Sequence, residues 1–139
     1  MRIFILLCML FFFGCSEPNA HYDIWKGANG IQIIELDLGE TLTQVRITNE
    51  EEKQQLIKKV NQLISVIDQF YDQLHLQEGV VPDSGYAYKI SREGKKPNSA
   101  FLVNLVVTFK IRNRQEADYL RPYLVNLKKD LEKVSFNEW

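Results

Sequence analysis

The chain has 139 residues, with 17 Lys and Arg against 18 Asp and Glu, so its net charge is −1 at pH 7. This balance excludes a nucleic-acid binder that works through bulk positive charge, and it excludes an acidic disordered tail. Hydrophobic residues make up 45% of the chain, an ordinary share for a globular domain, and the length suffices for one domain with its own core.

The first fifteen residues have the three-part form of a secretory signal. Met1-Arg2 is short and basic, the eleven residues from Ile3 to Phe13 carry no charge, and Gly14-Cys15 follows. A membrane-spanning helix needs roughly 20 apolar residues, so this run is too short to span. The segment therefore predicts export and removal of a signal peptide.

The junction resembles the signal of bacterial lipoproteins, in which a cysteine after a small residue receives a diacylglyceryl group and becomes the mature N-terminus. Gly14 and Cys15 occupy the last two positions of that pattern, and Phe12 and Phe13 stand where it has Leu and a small residue. The resemblance covers residues 1–15. It implies cleavage after Gly14 and a lipid anchor at Cys15, since two or more acyl chains hold a protein stably at a membrane.

The same resemblance implies a location in the cell envelope. Ser16 follows the cysteine where an inner-membrane retention signal has Asp, so the outer membrane facing the periplasm is implied if the host has two membranes. Two alternatives remain open at this point. They are an ordinary secretory signal with an incidental cysteine and a cytoplasmic protein with an apolar start.

Loss of the signal would leave Cys15 as the only cysteine, and a net charge near −2 because 16 basic residues then face 18 acids. The mature domain would have to be stable in an oxidising compartment without disulfides. Residues 15–30 contain Pro18, Gly27 and Gly30 and predict a lipidated tether, with a partly ordered lead-in strand as the equal alternative. Residues 31–139 are predicted to form a single α+β domain.

Two strands and a long helix are predicted in the first half of that domain. Residues 31–37 are rich in β-branched side chains and residues 41–48 alternate apolar and polar ones, so the two predict a hairpin around Gly39. A capping-box spacing from Thr48 to Glu51 opens a helix that runs to about Gln77. Its apolar stripe comprises Leu56, Val60, Leu63, Ile67, Phe70 and Leu74.

The second half repeats this order. Residues 86–91 and residues 100–111 predict strands, and the second is the clearest in the chain because its odd-numbered positions are apolar throughout. A second helix begins near Asn113, and the unbroken apolar register across Pro122 favours one kinked helix over a short turn followed by a helix. That register comprises Leu120, Leu124, Leu127, Leu131 and Val134.

The predicted fold is α+β in the order ββαββα, with a four-stranded, largely antiparallel sheet and two helices packed on one face. The two halves also match at an offset of 64 residues, at which Asn49 corresponds to Asn113 and Leu56 to Leu120. A true duplication and a chance alignment of two strand–cap–helix segments both explain the match. The predicted order of elements does not depend on which is correct.

Motifs for catalysis, metals or cofactors are weak in this sequence. His21 and His75 stand 54 residues apart, and neither a glycine-rich phosphate loop nor a Gly-x-Ser-x-Gly elbow occurs. The Asp83-Ser84-Gly85 segment near His75 is typical of a turn. We therefore predict no enzyme, no metal and no cofactor, with a hydrolase as the third-ranked hypothesis.

A basic stretch is the most suggestive feature of the domain. Between residues 89 and 114, seven basic residues face Glu93 alone, a balance of +6. On a hairpin of a membrane-tethered protein they predict contact with an anionic surface, with solvation and protection of a sheet edge as the alternative. The seven are Lys89, Arg92, Lys95, Lys96, Lys110, Arg112 and Arg114.

Together these features favour a membrane-anchored envelope lipoprotein with a non-catalytic interaction or assembly role. Its expected partners are the membrane, through Cys15, and an envelope protein of unknown identity, with no nucleic acid. The alternative is a small-ligand or lipid-binding domain, in which the helices and one face of the sheet enclose a pocket. That face carries Tyr86, Tyr88, Phe101 and Phe109.

Overall fold

The computed structural model describes residues 19–27, 30–76, 86–94 and 100–136. Within these ranges the strands are His21–Lys26 (β1), Gln32–Asp37 (β2), Gln44–Ile47 (β3), Lys89–Glu93 (β4), Ala100–Asn104 (β5) and Thr108–Ile111 (β6). The helices are Glu50–Phe70 (α1), which continues into the 3₁₀ turn Tyr71–Gln73, and Arg114–Glu132 (α2). Three strands therefore precede each long helix.

The described strands form two three-stranded antiparallel sheets, one in the order β1-β2-β6 and the other in the order β3-β5-β4. The α+β class is confirmed, but the predicted order ββαββα and the predicted single four-stranded sheet are both wrong, because three described strands precede each helix and the six form two sheets. The predicted hairpin between residues 31–37 and 41–48 is also wrong, because β2 pairs with β6 and β3 pairs with β5. Neither of these two strands pairs with the other.

A difference in length between two facing stretches explains the split. Asp37 pairs with Thr108 and Gln44 pairs with Asn104, so the six residues 38–43 face only the three residues 105–107. No common register can pass through such a mismatch, and the ladder breaks there. We call residues 38–43 and 105–107 the joint.

Two backbone hydrogen bonds hold the joint together. Leu38 N donates to Val107 O at 2.8 Å, and Leu105 N donates to Thr43 O at 2.9 Å. The chain from 100 to 111 thus passes from one sheet to the other without changing the face that it buries. Its odd-numbered side is turned to the core, as predicted, with five buried side chains and a half-buried Val107. The buried five are Phe101, Val103, Leu105, Phe109 and Ile111.

The two helices pack against each other through their apolar stripes, in which eight residues are at most 2% exposed. α2 runs through Pro122 as one helix, as the register across it predicted. A proline inside a helix costs about 3 kcal/mol, whereas each buried leucine contributes about 1.5–3 kcal/mol, so the stripe outweighs the proline. The eight residues are Leu56, Val60, Leu63, Ile67, Leu120, Leu124, Leu127 and Leu131.

The two halves of the chain have the same topology. β3 and β6 begin 64 residues apart, as do α1 and α2. In each half the first two strands pair with each other, and the third strand joins the sheet of the other half. Because a chance match of sequence patterns would not also produce equivalent strand pairing, this topology favours the duplication interpretation.

Candidate functional site

The described chain begins beside the joint and is fixed there. Gly39 has a φ of +86°, and a Cβ at that position would lie 2.6 Å from Asn19 O, so the two backbones are in close contact. Ala20 N donates to Gln62 Oε1 on α1 at 3.0 Å, and all six residues of His21–Lys26 pair with β2. Of the two alternatives for residues 15–30, the lead-in strand therefore applies to 21–26.

Gly14 and Cys15 lie outside the described residues. Three residues, 16–18, separate Cys15 from Asn19, the first described residue. An extended chain covers at most about 14 Å over these four steps. The ordered domain therefore begins much closer to the predicted anchor than a fifteen-residue tether would allow.

Close to Asn19, the joint carries one exposed leucine and one glutamate that is held in an ion pair. Leu42 is 68% exposed, the largest exposed fraction among the large apolar side chains described. Two residues earlier, Glu40 forms an ion pair with the buried Lys59 of α1. A groove of about 560 Å³ lies between the start of β1 and α1, and its lining includes Ala20, Tyr22 and Lys58.

The predicted basic residues on β4 and β6 lie on different surfaces. Arg92 lies on the face of β4 that looks towards the helices, with its guanidinium carbon 5.3 Å from the ring centre of Phe101. The pleat places Lys89 on the opposite face of the same strand. Lys110 belongs to the other sheet, where its Nζ lies 5.9 Å from the ring centre of Trp25.

The remaining predicted cations contact the starts of helices and turns. Arg112 forms an ion pair with Glu116 at 3.3 Å. Arg114 donates from Nη2 to Asp72 O at 2.9 Å and stacks over Tyr71 at 5.4 Å. Lys95 and Lys96 lie outside the described residues. The described cations are thus divided between two sheets and the start of α2.

Three of the four predicted aromatic residues meet in one cluster. Tyr86, Tyr88 and Phe109 surround Tyr123 of α2, with ring centres 5.6 to 5.9 Å from that of Tyr123. Sequence reasoning missed Tyr123, although its position three residues after Leu120 would have placed it on the apolar stripe. Its hydroxyl accepts a hydrogen bond from the Val106 N–H in the joint, at 3.0 Å.

Phe101 lies apart from this cluster and packs edge-on against Phe136 at 5.4 Å. It forms part of a cavity of about 350 Å³ between β4 and the end of α2. Polar and apolar groups mix in its wall, a combination typical of small-molecule sites. The wall comprises Tyr88, Ile90, Arg92, Phe101, Asp130, Lys133, Val134 and Ser135.

A tyrosine–aspartate hydrogen bond joins the two sides of this cavity. The Tyr88 hydroxyl donates to the Asp130 carboxylate across the space between β4 and α2. Burial and this negative partner together raise the pKa of Tyr88 to about 12, so the phenol stays protonated at neutral pH. The site therefore offers one neutral phenol, one carboxylate and two cationic side chains around an apolar floor.

The two halves differ in the side chains beside this space. Tyr22 occupies the register on β1 that Ile90 occupies on β4, and Phe70 corresponds to Val134 at the offset of 64. The Tyr22 and Phe70 rings pack 5.6 Å apart beside the groove of the first half. Ile90 and Val134 instead line the cavity of the second half.

The described residues contain neither a membrane-spanning helix nor a metal centre. Among the helices of this part of the chain, none is long and apolar enough to cross a membrane. The same residues contain no group of three or more His, Cys, Asp or Glu that could hold a metal ion. No protein family, curated protein or solved structure matches the chain.

Proposed function

We propose that the chain is a bacterial envelope lipoprotein, anchored through acylated Cys15, with a non-catalytic interaction or assembly role. The observation that carries this proposal is the uncharged run of residues 3–13 that ends in Gly14-Cys15. In a host with two membranes, the proposed location is the periplasmic side of the outer membrane. The short spacer of residues 16–18 suits a domain that works at a membrane surface.

An interaction role is supported by the edge strand β1. All six of its residues are exposed, and they include Tyr22, Ile24 and Trp25. Proteins usually blunt an edge strand with charges, since an open edge invites pairing with another chain. Three large apolar side chains on such an edge favour contact with a partner.

Cys15→Ala tests the anchor, and Cys8→Ala in the apolar run is its matched control. We expect Cys15→Ala to abolish incorporation of labelled fatty acid and to release the protein from the membrane fraction. Cys8→Ala should retain both properties. Persistent acylation and membrane association of Cys15→Ala would refute the proposal.

The interaction role has its own test in cross-linking of intact membranes. Ile24→Lys places a charge on the β1 edge, and Asn126→Lys adds the same charge on the exposed side of α2. A partner cross-linked to the native chain and to Asn126→Lys, but lost from Ile24→Lys, supports the role. If the purified domain turns over an envelope substrate and no partner is found, an enzyme replaces it.

The cavity beside Tyr88 favours a second candidate function, a small-ligand or lipid-binding domain. Native mass spectrometry of the protein purified from its host would detect a retained molecule. Val134→Phe, which copies Phe70 of the first half, should fill the cavity and remove that molecule. A bare mass for the native protein counts against ligand binding.

A further inference from the structure

We propose that the domain sits directly on the bilayer through the outer surface of the joint, with Leu42 in contact with lipid. The proposal rests on the lipid anchor at Cys15. It adds what an anchor alone does not specify, which is the side of the domain that faces the membrane. The binding partner proposed for this side is the lipid bilayer itself.

Chain length brings Leu42 within reach of the membrane. Asn19 lies at most about 14 Å from the acylated residue and is in contact with Gly39. Three further residues lead from Gly39 to Leu42, at most about 11 Å. The exposed leucine therefore lies within about 25 Å of the lipid attachment point, because only a short stretch of chain separates the two.

The point at which the chain enters the domain is fixed. A flexible tether would allow the domain to rotate, but β1 is hydrogen-bonded along its whole length and Ala20 N is bonded to Gln62. The orientation of the domain is then set by where Asn19 leaves it.

The chemistry of this surface suits the polar–apolar boundary of a bilayer. Thr41 and Thr43 flank Leu42 without charge, and the acid nearest in sequence, Glu40, is paired with Lys59. The groove beside Ala20 adds apolar area and the exposed Lys58, whose charge attracts anionic lipid. An exposed leucine with a neutralised acid costs little polar desolvation on contact with lipid.

This surface is separate from the basic hairpin of the sequence-based hypothesis. The tip of that hairpin follows Glu93 at the far end of the β3-β5-β4 sheet. Five residues of extended chain lead from Ala100 back to Leu105 in the joint, a distance of about 17 Å. Contact through Leu42 therefore does not depend on those lysines.

A single label distinguishes the two sides of the domain, because the mature chain has no cysteine except Cys15, whose sulfur the acyl group blocks. The probe is a thiol-reactive environment-sensitive dye on Leu42→Cys, and the matched control is Leu76→Cys. Leu76 is 58% exposed and follows His75, which forms a β-bridge with Asn113. Six residues of chain, about 20 Å when extended, separate Asn113 from Val107 in the joint, so Leu76 lies far from Leu42.

Both variants are purified with their acyl chains and reconstituted in vesicles of phosphatidylethanolamine and phosphatidylglycerol. We expect a blue shift of the dye at Leu42 and loss of its emission when brominated lipid is included, with neither change at Leu76. Flotation of the vesicles reports the anchor in the same samples.

The outcomes separate this proposal from the anchor on which it rests. Flotation with both dyes in water overturns the lipid contact and leaves the anchor intact. Lipid contact at both positions overturns the orientation. A water-exposed dye at Leu42 in vesicles that becomes protected in native membranes shows that a protein covers the joint, which also overturns the proposal. Absence of acyl chains and of flotation refutes the anchor itself.

Discussion

The two helix caps allow one prediction to be made twice within the same chain. Asn49 and Asn113 have nearly identical extended backbones, and each side chain accepts a hydrogen bond at 2.8 Å, from Glu52 N and Glu116 N respectively. Their surroundings differ, because Asn49 is exposed whereas Asn113 is only 5% exposed. Replacing each by alanine therefore removes the same capping hydrogen bond, at Asn49 from a solvent-exposed site and at Asn113 from a buried one.

The expected losses follow from this difference. Loss of an asparagine cap costs about 1 kcal/mol, which we assign to Asn49→Ala. Asn113→Ala also leaves the N–H of the half-buried Glu116 without its acceptor where the buried position 113 limits access of water, a penalty of about 1–3 kcal/mol. We therefore expect the free energy of unfolding to fall by about 1 kcal/mol for Asn49→Ala and by about 2–3 kcal/mol for Asn113→Ala.

Urea unfolding at neutral pH measures both values on the chain without residues 1–14 and with Cys15→Ala. The dependence of the free energy on urea concentration should stay unchanged, so that the midpoint alone reports stability. Asn49→Ser, which retains a capping oxygen, is the control and should remain close to the parent protein. Equal losses for the two alanine variants would refute the role assigned to burial.

Three further changes test the cavity, the joint and the core. Because the pKa of Tyr88 is about 12 in the folded chain and about 10 in the unfolded one, its stabilisation is complete below pH 10 and is lost as the pH rises towards 12. Tyr88→Phe should flatten the fall in the urea midpoint over that range. Lys59→Met leaves Glu40 half-buried without its cation and should cost about 1–3 kcal/mol, which the double variant Lys59→Met with Glu40→Gln should partly restore in thermal melts. Leu124→Ala should cost about 2–5 kcal/mol by urea unfolding, against less than about 0.5 kcal/mol for Leu42→Ala at the surface.

The helices could be predicted from the sequence because their signals are local. The apolar period carried α2 correctly across Pro122, and the start of α1 was predicted within two residues. The cap itself was placed one residue early, since Thr48 and Asn49 are both good caps with a glutamate three residues later. In the fold Asn49 caps Glu52 N, and the Glu52 carboxylate accepts from Thr48 N and its hydroxyl.

The strand partners could not be predicted in the same way. Alternation identified which side of residues 100–111 is buried, but an alternating strand looks the same whether it pairs with one neighbour or with two in turn. The split depends on the six residues between Asp37 and Gln44 facing three residues of the other strand. This difference in length between the two stretches can be recognised only when it is known which strands pair. β1 was obscured for a different reason, since Pro18 and Gly27 bracket it with turn signals.

The candidate surfaces lie where the two halves differ, whereas the elements that the halves share serve folding. The caps, the helix stripes and the strand order are shared, and each of them is needed to fold a half. The edge strands differ, because β1 follows the segment of the proposed anchor and exposes aromatic side chains, whereas β4 lines a cavity. The Tyr22 and Phe70 rings pack against each other in the first half, whereas Ile90 and Val134 line the cavity in the second. The asymmetry therefore favours one half as the membrane-facing side and the other as the side available to a ligand.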